Sequence, residues 1–320
     1  MSIDLSLIDK YSSGDNFRSF LLYNFELAKC TTQDLLEKDL LKLPLSCSRR
    51  NHGPTDRSPD LNYLPFLLNG SNKYGLLRSV PTKPQELPTF ASQVCSMGGH
   101  FFVMPEAQTV YELQISGGKS GNLPLGLSSW IDMFSDQFSL TRIFLESLSE
   151  FNSIHMMRWF DSHLSMTAYT LFCLVYLKFL GYEDLSPTFV TQSIHDVLTL
   201  KSYTPDLAVR LSEKKSYAYL PSRALIVEKK ASPDGKLRGS YLMFANHNSF
   251  LIDRELFLFG DSHSFSFIAP LLSQTFRRVH IFWGLPDDYS KFVDQYSVSS
   301  DPHLLVECSE RFFLKNTQSS

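Results

Sequence analysis

Several features that mark protein classes are scarce in this sequence, beginning with cysteine. The five cysteines, at positions 30, 47, 95, 173 and 308, are widely spaced and odd in number, and no two form a Cys-x-x-Cys pair. This pattern excludes a disulfide framework and a zinc knuckle. No apolar run reaches the roughly 18–20 residues that a membrane-spanning helix needs. The longest, at 171–180, is interrupted by Lys178, which indicates a buried helix.

An excess of charge of one sign is also absent. Thirty Lys and Arg residues stand against 33 Asp and Glu, a formal net charge of −3, with no block of like charges. This balance argues against a protein that mainly binds nucleic acid or an anionic membrane. The first nine residues contain neither the basic nor the apolar region of a signal peptide. If residue 1 is the true start, we expect a cytoplasmic protein, and a periplasmic one if a leader was removed. Nothing in the sequence indicates an oligomeric state.

What the chain does have is material for a packed core, with 43% hydrophobic and 13% aromatic residues. In its last third, apolar strand patterns alternate with helix patterns. We predict strands at 256–260, 279–284 and 303–308, with helices at 264–276 and 287–296 between them. Apolar strands that alternate with helices are typical of a parallel sheet covered on both faces. The sequence therefore predicts a three-layer α/β fold with a mainly parallel sheet.

The rest of the chain divides into a core region and an N-terminal extension. Within the core region we predict a buried strand at 100–106, helices at 140–151 and 164–181, and a hairpin of strands 223–228 and 240–245. Residues 1–94 offer little beyond a capped helix pattern at 31–41, and we expect them to pack on the core as an extension. The predicted catalytic domain is 95–320.

A serine follows the first of the predicted C-terminal strands. The segment Gly260-Asp-Ser-His-Ser264 comes directly after this strand and opens the next helix. Ligands of open α/β sheets bind at the carboxyl ends of strands. Ser262 is therefore a candidate nucleophile, with its own N–H at a helix N-terminus that favours a developing oxyanion. The alternative is that Asp261 or Ser262 only caps the helix.

A serine nucleophile needs a base, and the base needs an orienting carboxylate. Asp161-Ser-His163 precedes the buried helix predicted at 164–181 and supplies both. The alternative is again capping, with Asp161 or Ser162 as N-cap and His163 in the first turn.

Two further possibilities compete with this interpretation. Asp-Ser-His occurs twice, at 161–163 and 261–263, so two Asp/His pairs could hold a metal ion. A surface loop histidine at 263 is the more ordinary interpretation, and we predict no metal site. The glycine-rich segment at 117–121 has the composition of a phosphate loop without its spacing.

Together the two motifs resemble the alginate O-acetyltransferases of the AlgX and AlgJ type, a branch of the SGNH-hydrolase-like superfamily. The resemblance covers roughly 95–315. It rests on Asp161-Ser-His163 before an apolar helix and on Gly260–Ser264 about 100 residues later. Three shorter segments agree with it, namely His100-Phe-Phe-Val-Met-Pro-Glu106, Phe244-Ala-Asn246 and Glu310-Arg-Phe312. One departure is Leu164, where the family usually has tryptophan.

The resemblance implies a fold, a triad and a reaction. The fold is an SGNH-hydrolase-like (flavodoxin-like) three-layer sheet in which the Asp/His pair precedes the serine in the chain. Ser262 becomes the nucleophile, His163 the general base and Asp161 its orienting carboxylate. The implied reaction moves an acetyl group to a hydroxyl of a carbohydrate through an acyl-serine. That carbohydrate would be a surface or capsular polysaccharide or its precursor.

Other assignments follow from these. We expect acetyl-CoA as co-substrate and no bound cofactor. Gly260 and Asn246 are further candidates for the oxyanion or substrate site, and Trp283 for stacking on a sugar ring. The alternatives left open are a carbohydrate O-acetylesterase with the same triad and a non-catalytic carbohydrate-binding module.

Overall fold

A computed structural model describes residues 47–48, 64–68, 75–78, 86–106, 109–110, 113, 127–149, 163–185, 198–203, 216–221, 226–232, 235, 238–246, 252–286 and 288–316. The helix predicted at 31–41 and the glycine-rich segment at 117–121 lie outside these residues. None of the helices in the described ranges is both long and apolar enough to cross a membrane.

The elements are numbered in chain order. The strands are β1 (Cys47–Ser48), β2 (Leu64–Leu68), β3 (Gly75–Arg78), β4 (His100–Met104), β5 (Leu198–Tyr203), β6 (Ser216–Pro221), β7 (Ile226–Lys230), β8 (Tyr241–Ala245), β9 (Ile252–Gly260), β10 (Phe276–Trp283) and β11 (His303–Ser309). The helices are α1 (Thr89–Ser96), α2 (Ser128–Met133), α3 (Ser139–Ser149), α4 (Met166–Phe179), α5 (Ala269–Leu272), α6 (Tyr289–Tyr296) and α7 (Glu310–Asn316). A 3₁₀ turn (Glu183–Leu185) follows α4, and a π-helical turn (Ser264–Ile268) precedes α5.

Six strands form the main sheet, in the order β4-β11-β9-β10-β8-β7. β4, β11, β9 and β10 run parallel to one another. β8 is antiparallel to β10, and β7 is antiparallel to β8. The sheet is therefore mixed, with four consecutive parallel strands, as a mainly parallel sheet requires, and two antiparallel strands at one edge. The predicted hairpin is the reason, because it adds both of its strands to the β10 edge.

The hairpin turn is the one predicted from Ser232-Pro-Asp-Gly235. The N–H of Gly235 donates a hydrogen bond to the carbonyl of Ser232 (3.0 Å). Gly235 has a φ of +72°, a conformation that glycine adopts without the steric cost of a side chain. The turn chemistry in the sequence thus sets the antiparallel pairing of β7 with β8.

Helices cover both faces of the main sheet, as the three-layer prediction requires. Two consecutive residues of β4, Phe101 and Phe102, show the helices on the two faces, since successive side chains of a strand point to opposite faces of the sheet. Phe101 packs against Phe90 of α1 and against Phe313 of α7. Phe102 packs against Phe144 of α3 and Phe172 of α4. The result is an α/β architecture with the sheet in the middle layer.

The buried helix predicted at 164–181 is α4. Its N-cap is Ser165, whose side chain accepts a hydrogen bond from the N–H of Ala168 (3.3 Å). Gly181 follows its end with a φ of +83°, as expected of a helix stop. Because Ser165 caps the helix, neither Asp161 nor Ser162 is its N-cap, and His163 lies before the first turn. The capping alternative for this segment is therefore wrong.

The helical segment after β9 is shorter than the predicted 264–276. It comprises the π-helical turn and α5, and β10 begins at Phe276. Pro270 lies at the start of α5 and lacks the N–H that would donate to the carbonyl of Ser266 in a regular α-helix. The N–H of Ala269 donates to the carbonyl of Ser264 instead, five residues back. The π-helical turn, which is wider than an α-helical one, thus lies next to the position at which Pro270 lacks a backbone N–H.

The predicted boundary between residues 94 and 95 falls inside α1. Ala91 and Val94 of this helix are fully buried in the hydrophobic core. The core thus includes residues from both sides of the boundary. That residues 1–94 pack on the core as an extension stays a prediction.

Candidate active site

Ser262 follows the carboxyl end of β9, which has parallel neighbours on both sides. From β9 the chain passes to β10 on one side, and from β10 it returns through α6 to β11 on the other side of β9. Ligands of open α/β sheets bind where the strand order reverses in this way. The half-buried Ser262 therefore lies at the edge where a substrate cleft is expected.

Asp261 holds the turn that carries Ser262. Its Oδ1 accepts a hydrogen bond from the N–H of His263 (2.9 Å), as an N-cap does. Its Oδ2 accepts one from the N–H of Ser309 at the end of β11 (3.1 Å). The capping interpretation is thus right for Asp261, and it is compatible with a nucleophilic Ser262, whose N–H belongs to the first turn of the helix.

The imidazole of His163 reaches the hydroxyl of Ser262. The distance from His163 Nε2 to Ser262 Oγ is 2.8 Å, which allows the ring nitrogen to accept the hydroxyl proton. The His163 ring also contacts the rings of Phe267 and His263, with centroids 5.2 and 4.9 Å away. The structure therefore brings together two residues of the predicted triad that are 99 positions apart. Asp161 lies outside the described residues, and its orienting role stays a prediction.

A buried tyrosine connects the segments that carry His163 and Ser262. Tyr169 of α4 is fully buried, and its hydroxyl lies 2.6 Å from Nδ1 of His263. The same hydroxyl accepts a hydrogen bond from the N–H of Leu164 (3.3 Å), the residue after His163. His263 itself is only 1% exposed. The interpretation of His263 as a surface histidine is therefore wrong, because its ring lies behind the serine turn.

Tyr169 is a site residue that the sequence motifs did not indicate. Within the apolar helix pattern it stands only one turn after Ser165, and a tyrosine in a buried helix needs a partner for its hydroxyl. In the sequence, this need of a buried hydroxyl for a hydrogen-bond partner was the one feature that could have indicated Tyr169.

Asn246 does not reach the serine turn. Its N–H donates to the carbonyl of Arg277 (3.0 Å), and its side-chain amide donates to the carbonyl of Ser273 (3.2 Å). These contacts put Asn246 at the start of β10, whereas Ser262 lies at the end at which β9 and β10 finish. At ~3.3 Å per residue, the two ends of β10 are about 20 Å apart. This placement takes Asn246 out of the candidate site.

Gly260 shapes the turn from inside. It is buried, and its carbonyl accepts a hydrogen bond from the N–H of Gly284 (2.6 Å). A Cβ at this position would lie 2.6 Å from Oε2 of Glu307 and 2.8 Å from Oγ of Ser264. Only glycine fits there without a shift of its neighbours. Its packing against these side chains gives it a structural part in the turn.

Trp283 lies at the same edge of the sheet as Ser262. In the pairing of β9 with β10 it stands beside Gly260. The indole is half-buried and packs against the ring of Phe265, with centroids 4.9 Å apart. That Trp283 stacks on a sugar ring stays a prediction.

A buried acid, Glu307 of β11, lies beneath the serine turn. Its Oε2 accepts hydrogen bonds from Oγ of Ser264 (2.8 Å) and from the N–H of Asp261 (3.2 Å). In the sequence it is a charged residue inside the otherwise apolar run 304–308. A charged residue is almost never fully buried unless it is paired, so this signal could have identified it.

The two acids beneath the serine differ in electrostatics. Burial, and then the negative charge of Asp261, raise the pKa of Glu307 well above its usual value. Burial also acts to raise the pKa of Asp261, but the facing His263 ring and the N–H donors of Ser309 and His263 outweigh it and lower that pKa. These opposite shifts favour ionisation of Asp261 over ionisation of Glu307.

The Glu310-Arg-Phe312 segment, which contributed to the family resemblance, ties α7 to the residues after β4. Oε2 of Glu310 accepts hydrogen bonds from the N–H of Glu106 (2.9 Å) and from Oγ1 of Thr109 (2.6 Å). Arg311 Nε lies 3.4 Å from Oε1 of Glu106. Both carboxylates are buried, so the segment fixes the start of α7 against the chain after β4, at the same end of the sheet as Ser262.

Within the part of the chain that the structure describes, no three His, Cys, Asp or Glu side chains are grouped so that they could hold a metal ion. The second Asp-Ser-His segment uses its Asp261 and His263 for the hydrogen bonds given above.

No family model matches the chain. No curated protein matches it either. Among solved structures, the chain is similar to a DHHW family protein from Eubacterium siraeum DSM 15702, with 11% identity and a TM-score of 0.48 over 80% of this chain and 95% of that one. It is also similar to PatB1 of Bacillus cereus, with 12% identity and a TM-score of 0.49 over 78% of this chain and 97% of that one. The structure of PatB1 with a sulfonyl adduct gives the same identity and TM-score, over 78% of this chain and 96% of that one. Likeness at this level supports no conclusion about function.

Proposed function

We propose that the protein is a serine O-acetyltransferase that passes an acetyl group through an ester on Ser262 to a carbohydrate hydroxyl. The observation that carries this proposal is the 2.8 Å distance between His163 Nε2 and Ser262 Oγ. A base at hydrogen-bond distance from a serine is the arrangement that activates its hydroxyl for attack on a carbonyl. The location after a central parallel strand, at the edge where ligands of such sheets bind, agrees with it.

In the first half-reaction His163 acts as general base. Its Nε2 takes the hydroxyl proton while Oγ of Ser262 forms a bond to the acetyl carbonyl carbon of the donor. The oxyanion that develops faces the N–H of Ser262 at the start of the helix. When the bond from the carbonyl carbon to the leaving group breaks, His163 returns its proton to that group. The acetyl ester of Ser262 remains.

The second half-reaction repeats these steps with the acceptor. His163 takes the proton of a sugar hydroxyl while its oxygen attacks the acetyl carbon. The bond to Ser262 Oγ then breaks, and His163 gives the proton back to the serine. In this proposal Asp161 keeps the His163 ring in the tautomer that leaves Nε2 free to accept a proton.

The identities of donor and acceptor are further parts of the proposal. The carbohydrate acceptor, a surface or capsular polysaccharide or its precursor, follows from the resemblance to the alginate O-acetyltransferases. Trp283, beside the serine turn, is the side chain that would stack on its sugar ring. We propose acetyl-CoA as the donor for a protein that acts in the cytoplasm.

An O-acetylesterase is the second candidate. Both Ser262 and His163 are partly exposed, so water can reach an acyl-serine at this position. An acceptor site that excludes water is what would separate a transferase from an esterase.

The experiment offers acetyl-CoA or a chromogenic acetyl ester to the protein, with and without a set of saccharides. The proposal predicts acetylated saccharide, which the variant Ser262→Ala does not form. Ser266→Ala, on the same helix and also half-buried, is the matched control that keeps activity. Release of acetate alone would favour the esterase. Failure to release acetate from either donor would contradict both and favour a carbohydrate-binding module.

A further inference from the structure

The carboxyl group of Glu307 lies directly beneath the serine turn and accepts hydrogen bonds from it. Its side chain is 1% exposed. Oε2 accepts both hydrogen bonds that the turn offers, from Ser264 Oγ and from the Asp261 N–H. Among the described residues, Oε1 has no hydrogen-bond donor, although it is fully buried.

This one-sided arrangement is unusual for a carboxylate. An ionised carboxylate only accepts hydrogen bonds, at both of its oxygens. If one of these oxygens is buried without a donor, the hydrogen bonds that it made to water are lost and not replaced. A neutral carboxylic acid has one accepting carbonyl oxygen and one hydroxyl that donates. Oε2 of Glu307 matches the first. Oε1 accepts no hydrogen bond from the described residues and is the oxygen left to carry the hydroxyl, and the side chain of Asp261 is the neighbouring group that interacts with the Glu307 carboxyl.

Asp261 is well suited to accept that proton. Its two oxygens already accept from the N–H groups of His263 and Ser309, and each oxygen has room for a further hydrogen bond. Two carboxylates in contact cannot both be ionised at low cost, so such pairs hold one proton between them. The N–H donors on Asp261 keep the charge there and the proton on Glu307.

The other ionisable groups around the pair come from each packed element. His263 faces Asp261 from the helix after β9, and Arg311 acts on Asp261 from α7. Arg311 is itself paired with Glu106. Cys308, on the same strand as Glu307, is a buried thiol whose pKa is raised by burial and then by the two acids. Phe102, opposite Glu307 on β4, is apolar.

We propose that Glu307 is a positioning residue that holds the Ser262 turn as a neutral acid, accepting on Oε2 from the turn and donating from Oε1 to Asp261. The positioning role rests on the proposed function, since it matters through Ser262. The protonation state of Glu307 does not depend on the proposed function, and it can be measured without any enzymatic turnover. Burial and the charge of Asp261, which raise the pKa of Glu307, support the neutral form.

Gly260 is part of this arrangement. Its missing side chain leaves the space in which Oε2 of Glu307 and Oγ of Ser264 meet the backbone of the turn. The hydrogen bonds of Glu307 therefore act on Asp261, directly before Ser262, and on Ser264, two residues after it. These hydrogen bonds fix the backbone of the turn and thereby the direction in which the hydroxyl of Ser262 points toward His163.

The test uses three variants of the full chain. Glu307→Gln reproduces the hydrogen-bonding pattern of a neutral acid, with one accepting oxygen and one donating group. Glu307→Leu removes both. Glu255→Gln is the matched control, because Glu255 is also a buried acid, but three donors surround its Oε2, namely Ser297 Oγ (2.7 Å) and the N–H groups of Val298 (2.9 Å) and Ser299 (3.0 Å). Burial acts to raise the pKa of Glu255, and these donors with Arg278 outweigh it and lower that pKa.

The first readout is infrared spectroscopy near neutral pH. We expect the carbonyl band of a protonated carboxylic acid in the unaltered protein and in Glu255→Gln, and its loss in Glu307→Gln. The second is the free energy of unfolding against pH. A proton that the folded chain keeps and the unfolded chain releases above about pH 4.5 makes stability fall as pH rises. Glu307→Gln should therefore gain stability relative to the unaltered protein as pH rises, and Glu255→Gln should lose it.

The third readout is the rate of acetyl transfer to Ser262. Glu307→Leu should lower kcat by about a hundredfold at an unchanged KM, as a misplaced reacting group does, and Glu307→Gln should restore most of it. A carboxylic-acid band that persists in Glu307→Gln, or a stability loss of Glu307→Gln that grows with pH, would overturn the neutral acid. Equal kcat in Glu307→Leu and the unaltered protein would overturn the positioning role. If the unaltered protein transfers no acetyl group, the proposed function fails, while the first two readouts still decide the protonation of Glu307.

Discussion

Tyr169 shows how one hydroxyl can connect the two distant segments that carry His163 and Ser262. It accepts a hydrogen bond from the N–H of Leu164 and lies 2.6 Å from Nδ1 of His263. One of these partners directly follows His163, and the other directly follows Ser262. The aromatic ring of Tyr169 stacks on Phe267 at 4.6 Å, which holds the hydroxyl in place between them.

We predict that Tyr169→Phe destabilises the protein and slows acetyl transfer. The substitution leaves a buried N–H and a buried imidazole nitrogen without their shared partner, a loss of about 1–3 kcal/mol. Denaturant unfolding and initial rates measure the two effects. Tyr176→Phe is the matched control, since Tyr176 is buried on the same helix and its hydroxyl has no hydrogen-bond partner among the described residues. Equal effects of the two variants would contradict this role for Tyr169.

At this scale the sequence predicted the residues that carry motifs and missed those that only support them. Ser262 and His163 stand in short patterns whose chemistry requires those residue types, and the structure brings them together. Tyr169 and Glu307 act through contacts across the fold. No pattern within a single segment reveals such a contact, so they appear in the sequence only as polar groups in apolar runs. The prediction that Asn246 belongs to the site was wrong for the same reason, because the distance of Asn246 from Ser262 depends on the direction of the strands.

At the scale of elements, the turn between β9 and the following helix is the feature on which the site depends. The carbonyl of Gly260 accepts from Gly284, Asp261 caps the helix, and Glu307 fills the space beside Gly260. The turn is thus attached to both neighbours of β9, that is, to the ends of β10 and β11.

We predict that Gly260→Ala distorts this turn. The new methyl group would stand 2.6 Å from Oε2 of Glu307, so the acid or the strand end must move, at a typical cost of about 1–3 kcal/mol. Acetyl transfer should fall more than stability alone explains. Gly98→Ala is the control, because Gly98 has a φ of +75° and open space around its Cβ position, so it loses stability through backbone strain and keeps its rate. A Gly260→Ala protein with unaltered transfer would contradict the account of the turn.

The elements themselves were predicted well where their pattern is local. Periodicity and turn residues predicted the hairpin, the buried helix α4 and the C-terminal strands. The helix predicted at 264–276 ends earlier, at Leu272, because the chain turns there into β10, which begins at Phe276. That the hairpin joins the parallel strands at the β10 edge was not predicted, because strand order depends on packing between distant segments.

At the scale of the whole molecule, the edge of the sheet opposite the serine carries a second group of partly buried ionisable side chains. His303 at the start of β11 has Nε2 3.2 Å from both the hydroxyl of Tyr182 and Nη1 of Arg254. Arginine can only donate, so this nitrogen is an acceptor and the ring is neutral. Burial, and then the positive charge of Arg254, lower the pKa of His303 to about 4.

We predict that this histidine contributes to the loss of stability in acid. Between its ordinary pKa of 6.5 and about 4, the unfolded chain takes up a proton that the folded chain does not, so the free energy of unfolding falls as pH falls. His303→Gln carries no such proton. Urea unfolding of both proteins across this pH range should give a shallower decline for the variant. Parallel declines would contradict a neutral His303, because the remaining ionisable groups are common to both proteins.

The central claim, that Ser262 is the acetyl carrier and His163 its base, is tested most directly by mass spectrometry of the protein after brief exposure to an activated acetyl ester. We expect one added acetyl group, located by peptide fragmentation on Ser262. It should be absent in Ser262→Ala, present in the Ser266→Ala control, and formed at least about a hundredfold more slowly in His163→Ala. Acetylation at another residue, or equal labelling of Ser262→Ala and the unaltered protein, would contradict the claim.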